Sequence, residues 1–231
     1  MPILAYILTA LAAYLLGSIP AGFLVGRAKG IDIRAVGSGN IGATNAMRVL
    51  GKPAGISVLF LDALKGYAAC AFLVPFIFNG LAPHFSGLYQ YFHDQPLEIQ
   101  TRYYVMAGIF AVLGHNYTCW LKFKGGKRIA TTAGVYLALA PWSLGIAFVV
   151  FIVALLVTRY VSVGSITGAI ALVASVWILP PHNIFLGVVT TALAALAIYK
   201  HKGNIQRLIA GTENRFGKKT SAKTPTTEVA K

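Results

Sequence analysis

"ATTAGVYLALAPWSLGIAFVVFIVALLVT", residues 130–158, is an apolar run without a single charge and with one proline near its middle. As one helix it would be about 43 Å long at ~1.5 Å per residue, well beyond the ~30 Å hydrocarbon core of a bilayer. Pro141 has no amide proton and its ring clashes with the preceding helical turn, so the chain is expected to turn back there. Each resulting arm is short for a full crossing; the arms are tilted, or one is re-entrant. The side of the membrane on which the chain ends depends on this turn.

The rest of the chain belongs in the same solvent. It is 57% apolar and 11% charged with mean hydropathy +0.69, whereas a soluble domain carries roughly 25% charged residues. Segments near 3–26, 54–79, 103–121, 163–180 and 183–199 each approach the ~20 apolar residues that span a bilayer. The first lacks a basic leader and is too long for a signal-peptide core, so it reads as a retained helix. Cys70 and Cys119 are expected at membrane depth in separate helices, as buried thiols without disulfide or metal spacing.

A net charge of +14 would suggest nucleic acid in a soluble protein; here it reports sidedness, and no nucleic-acid partner is expected. Residues 27–52 carry Arg27, Lys29, Arg34, Arg48 and Lys52, and residues 122–128 carry Lys122, Lys124, Lys127 and Arg128. The stretch from Lys200 onward is also basic, while residues 80–102 hold Asp94 and Glu98 against Arg102. The positive-inside rule puts the basic stretches in the cytoplasm and the N-terminus outside. A single crossing at 130–158 would strand the basic tail outside, and a turn at Pro141 removes the conflict. The expected fold is all-α: a polytopic integral membrane protein of about seven transmembrane helices, N-terminus outside and C-terminus cytoplasmic. Residues 1–211 form the membrane domain, and residues 212–231, polar and rich in Lys and Thr, are expected to be a disordered basic cytoplasmic tail.

Unusual polar stretches gather at the cytoplasmic helix ends. "GSGNIGATNAMR", 37–48, alternates glycines with Ser38, Asn40, Thr44 and Asn45 and closes on Arg48. Such a loop can aim several backbone N–H groups at one anion, or it is an ordinary flexible connection. "GHNYTCWLKFKGGKRIATT", 114–132, places Lys124 and Lys127 around Gly125–Gly126 and runs into a helix start. That is a phosphate site or an anchor for anionic headgroups, with His115 upstream. "RYVSVGS", 159–165, offers Ser162 and Ser165 as N-caps. In "HKGNIQRLIAGTE", 201–213, His201 and Asn204 share a helical face. "LDALKG", 61–66, sets Asp62 and Lys65 three apart inside an apolar helix, where ionisable residues are paired or functional. No Walker loop or dinucleotide fingerprint occurs. Carboxylates near the cytoplasmic side are limited to Asp32, Asp62, Glu213 and Glu228, too few for an Mg²⁺ site, so metal-independent chemistry is expected.

These blocks, in this order, resemble the PlsY family of bacterial acyl-phosphate:glycerol-3-phosphate acyltransferases. "GSGNIGATNAMR", "GHNYTCWLKFKGGKRIAT" and "HKGNIQRLIAGTE" are similar to its three motifs, and the likeness runs from the first helix to about residue 216. Arg128 stands where the family usually has glycine, and the 80–102 loop is longer than in its shorter members. The resemblance implies acyl transfer from acyl phosphate to the 1-hydroxyl of sn-glycerol 3-phosphate, giving lysophosphatidic acid and phosphate in phospholipid biosynthesis. It implies a multi-pass protein of the bacterial cytoplasmic (inner) membrane, its site facing the cytoplasm. Ser38, Arg48, Lys127, Ser165, His201 and Asn204 correspond to active-site residues. Asn40, Thr44, Asn45 and Lys124 fall in the same motifs as phosphate contacts, with Gly125 and Gly126 in the substrate-binding loop. The expected partners are the two substrates and membrane lipids, the expected state is a monomer, and no cofactor or metal is implied.

His201 is a candidate base for the attacking hydroxyl, with Asn204 positioning it; a phosphate oxygen of the donor is the other proton acceptor. The H-x-x-x-x-D pair of acyl-CoA-dependent acyltransferases is absent, as is the aspartate-rich motif of CDP-alcohol transferases. A membrane transporter of phosphate or another small anion would use the same basic glycine loops, and is the alternative reading.

Overall fold

The computed structural model describes residues 2–81, 88–126, 129–180 and 182–216, and every regular element among them is helical. Expectations for Lys127, Arg128 and the chain beyond Phe216 lie outside the described residues. In chain order the helices are α1 (Pro2–Ser18), α2 (Ala21–Ala28), α3 (Ala43–Leu50), α4 (Lys52–Ala68), α5 (Leu88–His93) and α6 (Leu97–Asn116). They are followed by α7 (Ile129–Leu139), α8 (Pro141–Thr158), α9 (Val161–Ile178), α10 (Ile184–Lys200) and α11 (Lys202–Ile209). Helix α4 continues as π-helical turns at Ala69–Leu73 and Phe76–Leu81, on either side of Pro75, whose missing N–H disrupts the regular ladder.

Prolines set the breaks. Pro20 separates α1 from α2 and leaves carbonyls that hydrocarbon cannot solvate. The Thr118 hydroxyl donates to Ser18 O at 2.6 Å and Lys65 Nζ donates to Ile19 O at 2.8 Å, so this elbow ties α1 to α4 and to the loop after α6. Helix α7 ends at Leu139 and α8 restarts at Pro141. Ile129 and Phe151 line one end of a shared cavity and Tyr136 and Leu144 lie deeper in it, so the chain doubles back at the proline. With 11 residues, α7 is about 16 Å long, half the hydrocarbon thickness.

Among the described residues, four stretches are long and apolar enough to cross a membrane: Ile3–Ala28, Lys52–Gly80, Pro141–Thr158 and Val161–Ile178. A fifth is added if α10 and α11, bent by 51°, count together. The seven expected from sequence include α7, which is short, and α6, whose ends carry Glu98, Gln100 and Arg102 on one side and His115 and Asn116 on the other.

The main helix pairs are α1 with α6, α4 with α7 and α8 with α9. Small residues bring the backbones together: a Cβ on Gly17 would fall on the Ala111 carbonyl, and one on Gly66 on the Thr131 carbonyl. An aromatic cluster closes the far end, with Tyr6 stacked on Tyr103 at 4.2 Å and Phe78 on Phe92 at 4.0 Å. Phe92 belongs to α5, so part of the expected loop 80–102 is helical and packed.

Two expectations are corrected. Cys70 is buried, but Cys119 is exposed on a 3₁₀ turn, because α6 ends at Asn116 and Thr118 is committed to the Ser18 carbonyl. Ser162 and Ser165 are not N-caps: Tyr160 holds that position, and the Ser165 hydroxyl donates to Val161 O at 2.8 Å inside the helix.

Candidate active site

The breaks and loops at one end of the bundle enclose a polar cavity of about 630 Å³. One wall is the glycine loop and α3. Gly37 and Gly39 take left-handed φ of 66° and 69°, folding the loop around Asn45. Asn45 is buried, accepts the Ser38 N–H at 2.9 Å and donates to the carbonyls of Ile33, Val36 and Asn40. Its hydrogen bonds are thus directed to the loop, making it the organiser of that loop. Asn40 Oδ1 accepts from Gly42 N at 2.8 Å, which leads the chain into α3. Thr44 lies in the first turn of α3, where helix N–H groups favour an anion, and Arg48 lies one turn further on.

The opposite wall is the α10–α11 junction. His201 ends one helix and begins the other. Its Nδ1 is 2.8 Å from Ala197 O; a carbonyl only accepts, so Nδ1 carries the hydrogen and the neutral ring keeps its basic lone pair on Nε2. Asn204 Nδ2 donates to Glu213 Oε1 at 2.7 Å, Arg207 Nε to Glu213 Oε2 at 2.7 Å, and Ser162 Oγ to Oε1 at 3.2 Å. Residues 212–216 continue as a strap: Glu213 N donates to Arg207 O and Phe216 N to Arg159 O, while Arg215 Nε reaches the Tyr160 hydroxyl. The polar stretch expected as tail therefore begins with a segment bound to the fold.

Burial opposes ionisation of Glu213, but hydrogen bonds from Asn204 and Arg207 and the Arg207 charge outweigh it and hold the carboxyl below the usual range. A depressed folded-state value contributes stability that is complete above the ordinary glutamate value of ~4.3 and is lost as pH falls through the lower folded value. Thermal unfolding of wild type is expected to show this acid-side loss, and Glu213→Gln to show a shallower one. Equal slopes would contradict the assignment.

A buried ionic cluster backs the cavity, which its members Asp62 and His115 line. Asp62 Oδ1 lies 2.9 Å from Lys65 Nζ and 3.4 Å from His115 Nδ1, with all three side chains at most 5% exposed. The segment after α6 folds back onto this cluster: Gly125 N donates to Asn116 O at 3.0 Å and Gly126 N to His115 O at 3.1 Å. A Cβ on Gly125 would stand well inside van der Waals contact of the His115 carbonyl oxygen, and one on Gly126 would meet the His115 ring. Gly125→Ala is expected to lower stability by roughly 1–3 kcal/mol through overpacking, measured by thermal unfolding in detergent; an unchanged midpoint would contradict the packing.

The structure brings Ser38, Asn40, Thr44, Asn45, Arg48, Ser165, His201 and Asn204 to one cavity. Lys124 is exposed and, like Gly125 and Gly126, is not among the lining residues; the glycine amides are engaged by α6 carbonyls. Asp62, His115, Ser162, Lys200, Arg207 and Glu213 also line it. Of these, Asp62 stood out from its apolar setting and His115 from its place at a helix end, but nothing local marked Glu213 as the shared acceptor of Asn204 and Ser162. Among the described residues no three His, Cys, Asp or Glu side chains converge as a metal-ligand group.

A second cavity, about 240 Å³ and lined almost wholly by carbon, continues from the polar one between α7, α8, α9 and α10. The two share Leu59, Ile129, Ala130, Phe151 and Ser165. A polar basin lined by Arg48, Lys200 and Arg207 beside Asp62 and Glu213 opens into an apolar slot, within a helical fold whose long apolar helices mark an integral membrane protein.

Comparison with known proteins gives the family. The glycerol-3-phosphate acyltransferase family model matches residues 7–211. A glycerol-3-phosphate acyltransferase of Geotalea daltonii is 41% identical over 206 residues, 89% of this chain and 95% of the relative; one of Desulforamulus reducens is 44% identical over 211 residues, 90% and 94%. Crystal structures of PlsY, an integral membrane glycerol 3-phosphate acyltransferase, superpose with TM-scores of 0.77 for the glycerol 3-phosphate form and 0.75 for the lysophosphatidic acid form. They share 36% and 35% identity, each cover 92% of this chain, and are themselves covered to 96% and 95%. The chain belongs to the PlsY family of glycerol-3-phosphate acyltransferases.

Proposed function

We propose that this protein transfers a fatty acyl group from acyl phosphate to the 1-hydroxyl of sn-glycerol 3-phosphate, releasing lysophosphatidic acid and phosphate. The observation that carries the reading is the junction of the two cavities: phosphate-receptive groups lie on one side of Ser165 and an apolar slot on the other. Both substrates carry phosphate, one carries an alkyl chain, and the ligands of the related PlsY structures are a phosphate ester and its acylated product.

In this reading Arg48, Ser38 and the N-terminus of α3 receive phosphoryl oxygens and stabilise charge on the leaving phosphate. Lys127, two residues before the cavity-lining Ile129, joins them. Asn204 and His201 orient glycerol phosphate so that its 1-hydroxyl faces the acyl carbon. The hydroxyl oxygen bonds to that carbon, the carbon–oxygen bond to phosphate breaks, and phosphate departs with the electron pair. The hydroxyl proton passes to the phosphate or to His201 Nε2. If the histidine accepts it, His201→Gln removes the acidic limb of the kcat profile; if the phosphate does, the limb stays and KM for glycerol phosphate rises. No step calls for a metal.

The membrane arrangement belongs to the same proposal. The N-terminus lies outside, the cavity opens to the cytoplasm of a bacterial inner membrane, and α6 and the short α7 complete seven passes, supported by the basic loops at the cavity end. The protein acts as a monomer.

Sealed proteoliposomes separate this from anion transport. Labelled glycerol 3-phosphate is expected to enter the lipid fraction only when acyl phosphate is supplied. Label accumulating in the lumen without donor would support the transporter instead.

A further inference from the structure

We infer that the hydrogen-bonded pair Tyr136–Thr190 forms the floor of the apolar cavity and sets the acyl length accommodated there; this rests on the acyl-transfer reading above. Four helices give the cavity the same depth. Its lining runs from Ile129 to Tyr136 on α7, from Phe151 to Leu144 on α8, from Ser165 to Leu172 on α9 and from Ala197 to Thr190 on α10. Each run covers eight positions and so seven helical rises, an axial depth of about 10 Å, which on the order of eight methylenes of an extended chain traverse. Ile129, Phe151 and Ser165 also line the polar cavity, whereas Tyr136, Leu144, Leu172 and Thr190 do not. The last four therefore mark the closed end.

The floor is fixed in place. Tyr136 and Thr190 are each 1% exposed. The Thr190 hydroxyl donates to Leu186 O at 2.6 Å, so its oxygen accepts from the Tyr136 hydroxyl. Displacing the ring would leave the Tyr136 hydroxyl unpaired in an apolar interior while Thr190 kept its bond to Leu186 O, a penalty that holds the ring across the cavity. Behind it Tyr136 packs in a core with Cys70 and Val105. An alkyl chain short of this floor leaves a void, and each added methylene gains contact until the methyl end reaches the ring. Longer chains gain nothing further inside and leave past Phe148 and Leu59, both exposed on the cavity's open side. The dependence on length therefore has a break set by the floor.

Ala194 lines the cavity midway along the α10 run, so Ala194→Leu shortens it, Tyr136→Ala deepens it and Tyr136→Phe keeps the ring. Turnover is measured with an even-numbered ladder of acyl phosphates from octanoyl to stearoyl. In parallel, thermal stabilisation of each variant by lysophosphatidates of the same lengths reads chain binding without a donor. At the wild-type break length, Ala194→Leu is expected to lower kcat/KM about tenfold, the loss of roughly two methylenes' contact. Its break moves to shorter chains in both readouts, that of Tyr136→Ala to longer ones, and that of Tyr136→Phe stays. A common break in all four proteins, or no break in either readout, would overturn the floor. Absence of acyl-phosphate turnover at every length, with the break retained in the lysophosphatidate series, would instead overturn the donor assignment and leave the floor standing.

Discussion

Asp62→Leu is expected to destabilise the folded protein by about 3–5 kcal/mol, the cost of leaving a buried partner charge uncompensated. The remaining cation would be Lys65, 5% exposed, with Ile19 O as its other contact. Asp62 also faces His115, whose backbone carbonyl receives the Gly126 amide, so the loss spreads from the α1–α2 elbow to the loop after α6. The double variant Asp62→Leu, Lys65→Met tests the cause, because replacing a whole buried pair with apolar side chains is often near neutral. Unfolding midpoints in detergent should fall steeply for the single variant and recover substantially for the double. Equal losses in both would assign the cost to packing rather than to the orphaned charge.

Arg48→Gln is expected to reduce kcat/KM by about 10²–10³, the effect of removing one preorganised donor at a centre of developing charge. Arg48 stands on α3 beside the glycine loop, faces the basin that also holds Arg207 and Glu213, and takes no part in the buried cores. Its removal should therefore leave the unfolding free energy within about 0.5 kcal/mol of wild type, as for a surface change. Steady-state kinetics with acyl phosphate and glycerol 3-phosphate, alongside a melting curve, make the comparison. Near-wild-type turnover would remove Arg48 from the phosphate site.

Much of the fold was legible from sequence because hydrocarbon punishes ambiguity. A proline within an over-long apolar run had to break the helix, and α7 and α8 part at Ala140–Pro141. Clustered Lys and Arg with scattered glycines marked the end where the cavity lies. What remained hidden was the direction of individual polar groups. A glycine pair between lysines reads equally as an anion nest and as a close backbone approach, and Gly125 and Gly126 make the second, their amides spent on α6 carbonyls. Asn45 looked like a loop donor and is the loop's internal strut. Glu213 lay in a sequence that turns polar, and only the 51° bend at His201 and the return of the strap carry it to Asn204 and Ser162. Cys119 followed an apolar stretch but sits beyond the last turn of α6, a boundary fixed by the tertiary hydrogen bond of Thr118.

The most direct test of the central claim uses purified protein in a lipidic medium with palmitoyl phosphate and sn-glycerol 3-phosphate, EDTA present, and palmitoyl-CoA in a parallel reaction. Released phosphate and lysophosphatidic acid are followed together. The account predicts equal amounts of both products from palmitoyl phosphate and none from palmitoyl-CoA. Lysophosphatidic acid formed only from palmitoyl-CoA, or no product from acyl phosphate in protein that melts as a folded species, would contradict it.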